Sequence, residues 1–164
     1  MKILFVCTGN TCRSVMAEGI LKDLLKKRGL SEQHQVVSAG LFAQDGEPPT
    51  IETQITLEKA GVNLEEDGAT YVEEDLLEPV DLILTMTEGH KIMIEDRKNP
   101  GYYSGKLFTL KEYTRDCKVT AETPIDGELD ISDPYGGSLE VYRETFEEIK
   151  REIELLVEKI LEKC

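Results

Sequence analysis

The chain opens with an apolar run and a short polar loop, which read Lys2-Ile3-Leu4-Phe5-Val6 and Cys7-Thr8-Gly9-Asn10-Thr11-Cys12-Arg13-Ser14. A continuous apolar run bounded by a Thr-Gly-Asn turn is typical of a strand buried inside a parallel sheet. From Ser14 to about Arg28, apolar residues recur at helical spacing, and Gly29 marks the expected end of that helix. The stretch therefore predicts a strand, a loop and a helix in direct succession.

The rest of the chain continues this alternation of strand and helix patterns. Further strands are predicted at residues 35–40, 81–86 and 106–110, and a loop that contains Pro124 and Gly127 follows the last of them. A surface loop at residues 45–50 could rim a pocket. Helices are predicted at about 51–60, after residue 90 and from Ser138 to the end of the chain, with a short solvated helix around 73–77. Because parallel neighbours need crossover connections, the pattern predicts an α/β, three-layer fold with a four-stranded parallel sheet flanked by helices, in one domain over residues 1–164. A ligand then binds beyond the carboxyl ends of the strands, where the loop at residues 7–14 begins.

The composition and the net charge limit the classes of function that this chain could have. Its 164 residues are 40% hydrophobic and 32% charged, and no apolar run approaches the ~18 residues of a membrane span. No signal-peptide core is evident either. A formal net charge of −14 disfavours binding to nucleic acid or to anionic membranes. We therefore expect a cytoplasmic protein that binds neither nucleic acid nor a membrane, and the oligomeric state is left open.

The cysteines and histidines lack the spacing of a metal site or of a disulfide framework. Four cysteines are scattered through the chain, and the two histidines lie far from them. No metal and no other cofactor is expected. Cys117 and Cys164 are interpreted as incidental thiols, His90 as a helix-surface residue, and the acids of residues 65–78 as a solvated face.

The residue types of the loop at 7–14 suit covalent phosphate chemistry. The start of a helix and a nearby arginine both favour the thiolate form of Cys7, which is the nucleophilic form. The guanidinium of Arg13 donates in a fixed fork that matches two phosphoryl oxygens, and Ser14 could donate to the thiolate. The loop lacks the Gly-Lys-Ser/Thr ending of a nucleotide-binding loop. The alternative interpretation is a strand-turn-helix junction in which a cysteine happens to precede an arginine.

Two positions are expected to shape this loop. Gly9 permits a positive φ angle or a close approach of the backbone to a ligand. Asn10 tolerates left-handed geometry, and its amide could tie the loop together.

Covalent phosphoryl transfer also needs an acid for the leaving group and later a base for water. Asp133 is the best candidate, because it precedes the turn Pro134-Tyr135-Gly136-Gly137, which could present a carboxylate over the site. Tyr135 would then line the entrance. The alternative is an Asp-Pro turn that caps the long C-terminal helix, with Tyr135 as an exposed turn residue.

Four segments together resemble the low-molecular-weight protein tyrosine phosphatase family. They are residues 7–14, Met16-Ala17-Glu18, Ser38-Ala39-Gly40 and Asp133-Pro134-Tyr135. The resemblance spans nearly the whole chain and implies a compact α/β domain without a metal. One departure is Val15, where the family usually has proline at the helix start.

The resemblance also implies roles for individual residues. Cys7 would form a phosphocysteine intermediate, Arg13 would bind phosphate, and Asp133 would act as general acid and base. The remaining positions expected to organise the loop or to contact substrate are Thr8, Gly9, Asn10, Thr11, Cys12, Ser14 and Tyr135.

Thr11 bears on which phosphorylated side chain enters the site. Many tyrosine-specific members carry a larger aliphatic residue there, whereas the bacterial protein-arginine phosphatases share threonine. Residues 108–113 and 133–138 resemble that branch as well. The first substrate class expected is therefore phosphoarginine in phosphorylated proteins, and the alternative is phosphotyrosine, with Thr11 a product of neutral drift.

Two other functions are weighed against this one. Arsenate reductases with the same loop carry further cysteines downstream, and the spacing of Cys117 and Cys164 does not fit their disulfide relay. A non-catalytic phosphoprotein-binding module would not need Asp133.

Cys12 follows Cys7 in the same loop and is expected to lie within disulfide reach of it. A nearby thiol could trap an oxidised nucleophile reversibly, which predicts redox protection. The alternative is that Cys12 is a small apolar loop residue.

Overall fold

The structure, a computed structural model, describes residues 1–64, 67–115 and 128–162. Cys117, Cys164 and the predicted loop around Pro124 and Gly127 lie outside these residues. The strands are β1 (Lys2–Cys7), β2 (Gln35–Gly40), β3 (Leu82–Thr85) and β4 (Leu107–Thr109). They form one parallel sheet in the order β2-β1-β3-β4. The four-stranded parallel sheet predicted from the alternating patterns is confirmed.

Strand β1 lies inside the sheet and is buried on both faces, which explains its unbroken apolar sequence. Ile3 and Phe5 belong to one core cluster, and Leu4 and Val6 belong to a second one. Successive side chains of a strand point to opposite faces, so these clusters lie on opposite sides of the sheet. The sheet separates two helical layers, as the three-layer prediction requires.

The helices are α1 (Arg13–Lys27), α2 (Ile51–Lys59), α3 (Glu74–Leu77), α4 (Glu88–Glu95), α5 (Leu110–Arg115) and α6 (Leu139–Glu162). The first core cluster takes side chains from α1, α2, α5 and α6, whereas the second takes Leu77 of α3 and Ile94 of α4. Within the described ranges, no helix combines the length and the apolar character needed to cross a membrane.

Helix α5 differs from the sequence prediction, which extended the fourth strand to Leu110 and placed a loop after it. The strand ends at Thr109 instead, and a helix begins at once. Thr109 Oγ1 accepts a hydrogen bond from Glu112 N at 3.0 Å, and the Glu112 carboxylate accepts one from Thr109 N at 3.1 Å. This reciprocal pair is a capping box, and its Thr-x-x-Glu pattern was present in the sequence as a helix-start signal.

Candidate active site

The loop at residues 7–14, hereafter the Cys7 loop, joins the carboxyl end of β1 to the start of α1. Cys7 is buried, and its sulfur accepts a hydrogen bond from Asn10 N at 3.3 Å. Asn10 has a φ angle of 55°, in the left-handed region, while Gly9 does not have a positive φ angle. Of the two roles considered for Gly9, the positive φ angle is not adopted, because Asn10, which tolerates left-handed geometry, makes the turn instead. A Cβ atom at Gly9 would meet no other residue closer than Thr11 Oγ1 at 3.6 Å.

The Asn10 side chain braces the Cys7 loop internally and ties it to two other parts of the fold. Its amide nitrogen donates to Ser14 Oγ at 2.8 Å and to Ser38 Oγ at 2.9 Å. Its amide oxygen accepts from Thr70 N at 2.9 Å. The three partners satisfy the buried amide, so the left-handed turn is held by Ser14 within the loop and by Ser38 and Thr70 outside it.

Ser14 lies directly behind the cysteine. Its hydroxyl oxygen is 2.9 Å from Cys7 Sγ and already accepts the hydrogen bond from Asn10. The hydroxyl proton is therefore available to donate to the sulfur, and such a donor favours the thiolate over the neutral thiol.

The Cys7 loop also packs closely against the end of β2. The backbone N–H groups of Leu41 and Phe42 donate to the carbonyl oxygens of Cys7 and Thr8, at 3.0 and 2.9 Å. A Cβ atom at Gly40 would lie 2.6 Å from Thr8 O and 2.8 Å from Asn10 N. Only glycine allows this close approach, which explains the Gly40 of the Ser-Ala-Gly segment.

Arg13 connects the loop to the segment that carries Asp133. Its guanidinium is buried, and Nη1 donates to Ile131 O at 3.1 Å while Nη2 lies 3.3 Å from Asp133 Oδ2. Ile131 N donates in turn to Met86 O, just beyond β3, at 2.7 Å. The Asp133 segment is thus fixed between the sheet edge and the arginine.

Asp133 faces the arginine with one carboxylate oxygen and holds a turn with the other. Oδ1 accepts from Tyr135 N at 3.1 Å, and the Asp133 side chain is 55% exposed. The Asp-Pro turn considered from the sequence is present, but it does not cap the long helix. Ser138 does so, since its carbonyl and hydroxyl accept from Tyr142 N and Val141 N.

Thr11 and Cys12 form the wall of the loop that faces α2 and α6. Thr50 N and Thr53 Oγ1 donate to Thr11 O at 3.1 and 3.0 Å. Cys12 Sγ lies 3.4 Å from the hydroxyl of Tyr142. Burial, and then the hydrogen bond to Cys12, raise the pKa of Tyr142 to about 12, so this phenol stays protonated and can donate to the sulfur.

These residues surround a cleft of about 240 Å³. Asn10 and Ser14 lie behind it as supports, whereas the other predicted site residues line it. The lining residues are Cys7, Thr8, Gly9, Thr11, Cys12, Arg13, Glu47, Asp133 and Tyr135. Glu47 is the one lining residue that was not predicted individually, although the loop at residues 45–50 was expected to rim a pocket. Within the described ranges, no group of three or more His, Cys, Asp or Glu side chains could hold a metal ion.

His90 is not the helix-surface residue that the sequence suggested. It is 7% exposed, its backbone N–H donates to the α4 cap Thr87 Oγ1, and its Nε2 lies 2.8 Å from Thr8 Oγ1. The prediction is wrong because α4 follows β3, whose carboxyl end lies beside that of β1, so the first turn of α4 faces the Cys7 loop. The parallel topology itself was the signal that could have placed it.

Burial keeps His90 neutral. Desolvation and then the charge of Arg13 lower the pKa of His90 to about 4, against the opposing effects of Asp130 and Asp133. The His90 Nδ1 atom is buried without a hydrogen-bond partner. A neutral ring with its proton on Nε2 satisfies both observations, because Nε2–H then donates to Thr8 and Nδ1 carries only a lone pair.

The lowered pKa predicts a specific dependence of stability on pH. Between pH 6.5 and 4 the unfolded chain binds a proton at His90 and the folded chain does not, so the free energy of unfolding falls as the pH falls through this window. At 1.36 kcal/mol per pKa unit, the loss is up to about 3 kcal/mol. His90→Gln keeps a donor for Thr8 and cannot titrate. Urea unfolding at pH 7.5 and pH 4.5 should therefore show a smaller loss in the variant, and equal losses in both proteins would contradict this assignment.

Comparison with known proteins places the chain in a family. A family model described as low molecular weight phosphotyrosine protein phosphatase matches residues 2–164. The protein-arginine-phosphatase of Bacillus subtilis is 38% identical over 160 residues, which cover 98% of this chain and 97% of that protein. The low molecular weight protein-tyrosine-phosphatase PtpB of Staphylococcus aureus is 36% identical over 149 residues, or 91% of each chain.

A solved structure adds a chemical observation. It is an arginine phosphatase variant with a phosphorylated serine in place of the active-site cysteine, and it matches with a TM-score of 0.82 and 36% identity over 98% of this chain and 95% of its own. The family resemblance predicted from the sequence is confirmed. The chain belongs to the low molecular weight phosphotyrosine protein phosphatase family, whose members are cysteine-dependent protein phosphatases.

Proposed function

We propose that this protein is a protein-arginine phosphatase that works through a phosphocysteine intermediate on Cys7. The observation that carries the proposal is that Thr11, a small polar residue, lines the same cleft as Cys7, Arg13 and Asp133. In the described part of the chain, the one partner of its hydroxyl is Cys12 Sγ at 3.7 Å, a weak contact. The hydroxyl oxygen is free to accept a hydrogen bond from a planar guanidinium.

The first step transfers the phosphoryl group to the enzyme. The Cys7 thiolate attacks phosphorus, the S–P bond forms, and the P–N bond to the guanidine breaks. The leaving nitrogen takes the electron pair of that bond together with a proton from Asp133, so arginine departs protonated. Arg13 and the N–H groups of the Cys7 loop stabilise the negative charge of the transferring phosphoryl group.

The second step releases phosphate. Asp133, now a carboxylate, takes a proton from water while the water oxygen attacks phosphorus, and the S–P bond breaks. The electron pair returns to Cys7, where the Ser14 hydroxyl donates to the departing sulfur at the 2.9 Å separation already present. The cycle leaves Asp133 protonated and the thiolate restored.

The relatives support this choice of substrate without making it unique. The Bacillus subtilis relative and one from Geobacillus stearothermophilus are protein-arginine-phosphatases, whereas the Staphylococcus aureus relative is a protein-tyrosine-phosphatase. Tyr135, 74% exposed at the mouth of the cleft, is the observation that favours phosphotyrosine, since its ring could stack on the substrate ring. With either substrate, the partners proposed are phosphorylated proteins, and the compartment proposed is the cytoplasm.

Parallel assays on phosphoarginine and phosphotyrosine peptides test the proposal, and Thr11→Ile sharpens the test. The added bulk and the lost hydroxyl should lower kcat/KM for phosphoarginine by about tenfold or more, as expected for an overpacked site that also loses a hydrogen bond. The phosphotyrosine activity should be retained or raised, because an aliphatic side chain packs against a phenyl ring.

Thr11→Val is the matched control, since it removes the hydroxyl and keeps the volume. If both variants lose phosphoarginine activity, the effect comes from the lost hydrogen bond. If only Thr11→Ile loses it, the effect comes from the shape of the cleft. An equal loss of both activities in a folded Thr11→Ile protein would argue against either account. A wild-type protein that hydrolyses phosphotyrosine and leaves phosphoarginine intact would refute the proposed substrate.

A further inference from the structure

Glu47 places a second carboxylate in the lining of the catalytic cleft. The charged residues that line the cleft are Arg13, Asp133 and Glu47, so the carboxylates outnumber the cation. Arg13 already faces Asp133, at 3.3 Å. No lysine, arginine or histidine lies within ion-pair distance of Glu47 among the residues that the structure describes. Its negative charge is therefore unmatched within the described protein, at a site that must accept a phosphate dianion.

The backbone around Glu47 is anchored, so its position at the cleft is not incidental. Glu47 N donates to Gln44 O at 3.0 Å, and Glu47 O accepts from Ala69 N at 2.8 Å. The next two residues are prolines, whose φ angles are fixed by their rings. Thr50 then donates to Thr11 O at 3.1 Å. The loop that carries Glu47 is thereby joined to the Cys7 loop on one side and to residue 69 on the other.

The charge of Glu47 distinguishes the two candidate substrates. Arg13 and the N–H groups of the Cys7 loop are the groups that bind a phosphoryl group, so Glu47 gains nothing from the phosphate itself and repels it. Phosphotyrosine presents only a neutral ring beyond its phosphate. Phosphoarginine presents a planar cation with N–H donors, which a carboxylate binds strongly and with a preferred geometry.

We propose that Glu47 is a specificity-determining residue that pairs with the guanidinium of phosphoarginine, an inference that rests on the proposed arginine phosphatase function. In this arrangement Asp133 gives its proton to the nitrogen bonded to phosphorus, and Glu47 accepts hydrogen bonds from the other nitrogens of the guanidinium. The same carboxylate disfavours phosphotyrosine, because it brings a negative charge near the phosphate with no cation to offset it.

Glu47→Gln tests the inference, because it removes the charge and keeps the length of the side chain. We expect kcat/KM for a phosphoarginine peptide to fall about 2- to 5-fold, as for a charged pair at an exposed site, mainly through a higher KM. The activity on a phosphotyrosine peptide should stay level or rise. The difference in kcat/KM for phosphoarginine between wild type and Glu47→Gln should become smaller at high salt concentration, because exposed charges are screened.

The matched control is Glu32→Gln, an exposed glutamate just before β2, at the end of the sheet opposite the Cys7 loop. It should leave both activities unchanged. Suppose that wild type hydrolyses phosphoarginine and that Glu47→Gln changes the activities on both substrates equally, or changes neither activity. The inference is then overturned while the proposed function stands. If wild type does not hydrolyse phosphoarginine, the proposed function fails first and the inference fails with it.

Discussion

Cys7→Ser is expected to reduce steady-state hydrolysis by on the order of 10⁴-fold or more, as for other catalytic nucleophiles. Serine preserves the position of the attacking atom and the hydrogen bonds from Asn10 N and Ser14. An alcohol, however, gives up its proton far less readily than a thiol, and no base contacts position 7 among the residues that the structure describes. Phosphate binding should survive in the variant, because Arg13 and the loop N–H groups remain, and titration calorimetry with inorganic phosphate measures this separately from turnover.

The matched control is Cys12→Ser, the same chemical change five residues later in the same loop. Its sulfur contacts the Tyr142 hydroxyl at 3.4 Å, and a serine hydroxyl can keep that hydrogen bond. We expect this variant to retain activity within about tenfold, since no bond to phosphorus is made there. Unchanged hydrolysis in Cys7→Ser would refute the covalent mechanism and leave a phosphoprotein-binding module as the better account. Loss of phosphate binding together with turnover would instead show that the loop had collapsed.

The fold was largely predictable because its signals are local. The apolar run before Cys7 and the helical spacing after Ser14 specify a strand and a helix, and a parallel sheet follows from their repetition. Strand β1 lies between β2 and β3, as its burial on both faces requires. Helix α5, the one helix missed in the described part of the chain, also had a local signal in Thr109-Leu110-Lys111-Glu112, which was obscured by the strand-like residues just before it.

The contacts that complete the site were not predictable in the same way, because they join residues far apart in the chain. His90 reaches Thr8 across 82 positions, and Arg13 reaches Ile131 across 118. Residue type alone predicts that a histidine on a short helix is exposed. His90 is buried instead, because α4 packs against the end of β1. Glu47 was missed for a related reason, since an acidic residue in a Gly- and Pro-rich loop carries no signal of where that loop folds back.

Asp133→Asn is expected to lower kcat on phosphoarginine by about 10²- to 10⁴-fold, the range for the loss of a general acid or base. Asparagine keeps the acceptor that Tyr135 N uses at 3.1 Å, so the turn at Pro134 should persist. It cannot give a proton to the guanidine or take one from water. The departing guanidine is strongly basic and must leave protonated, so the first step should be the more affected one.

A change of leaving group separates this role from a merely structural one. An aryl phosphate such as p-nitrophenyl phosphate releases a weakly basic phenolate that needs little protonation, so Asp133→Asn should slow its first step much less than that of phosphoarginine. A rapid burst of p-nitrophenol followed by slow turnover would then report a phosphoenzyme that lacks its base for hydrolysis. Asp130→Asn, three residues earlier in the same segment, keeps the acceptor for Glu88 N and should retain both activities within about threefold. If Asp133→Asn slowed both substrates equally and showed no burst, its effect would come from the lost contact with Arg13, which holds the cleft together, rather than from proton transfer.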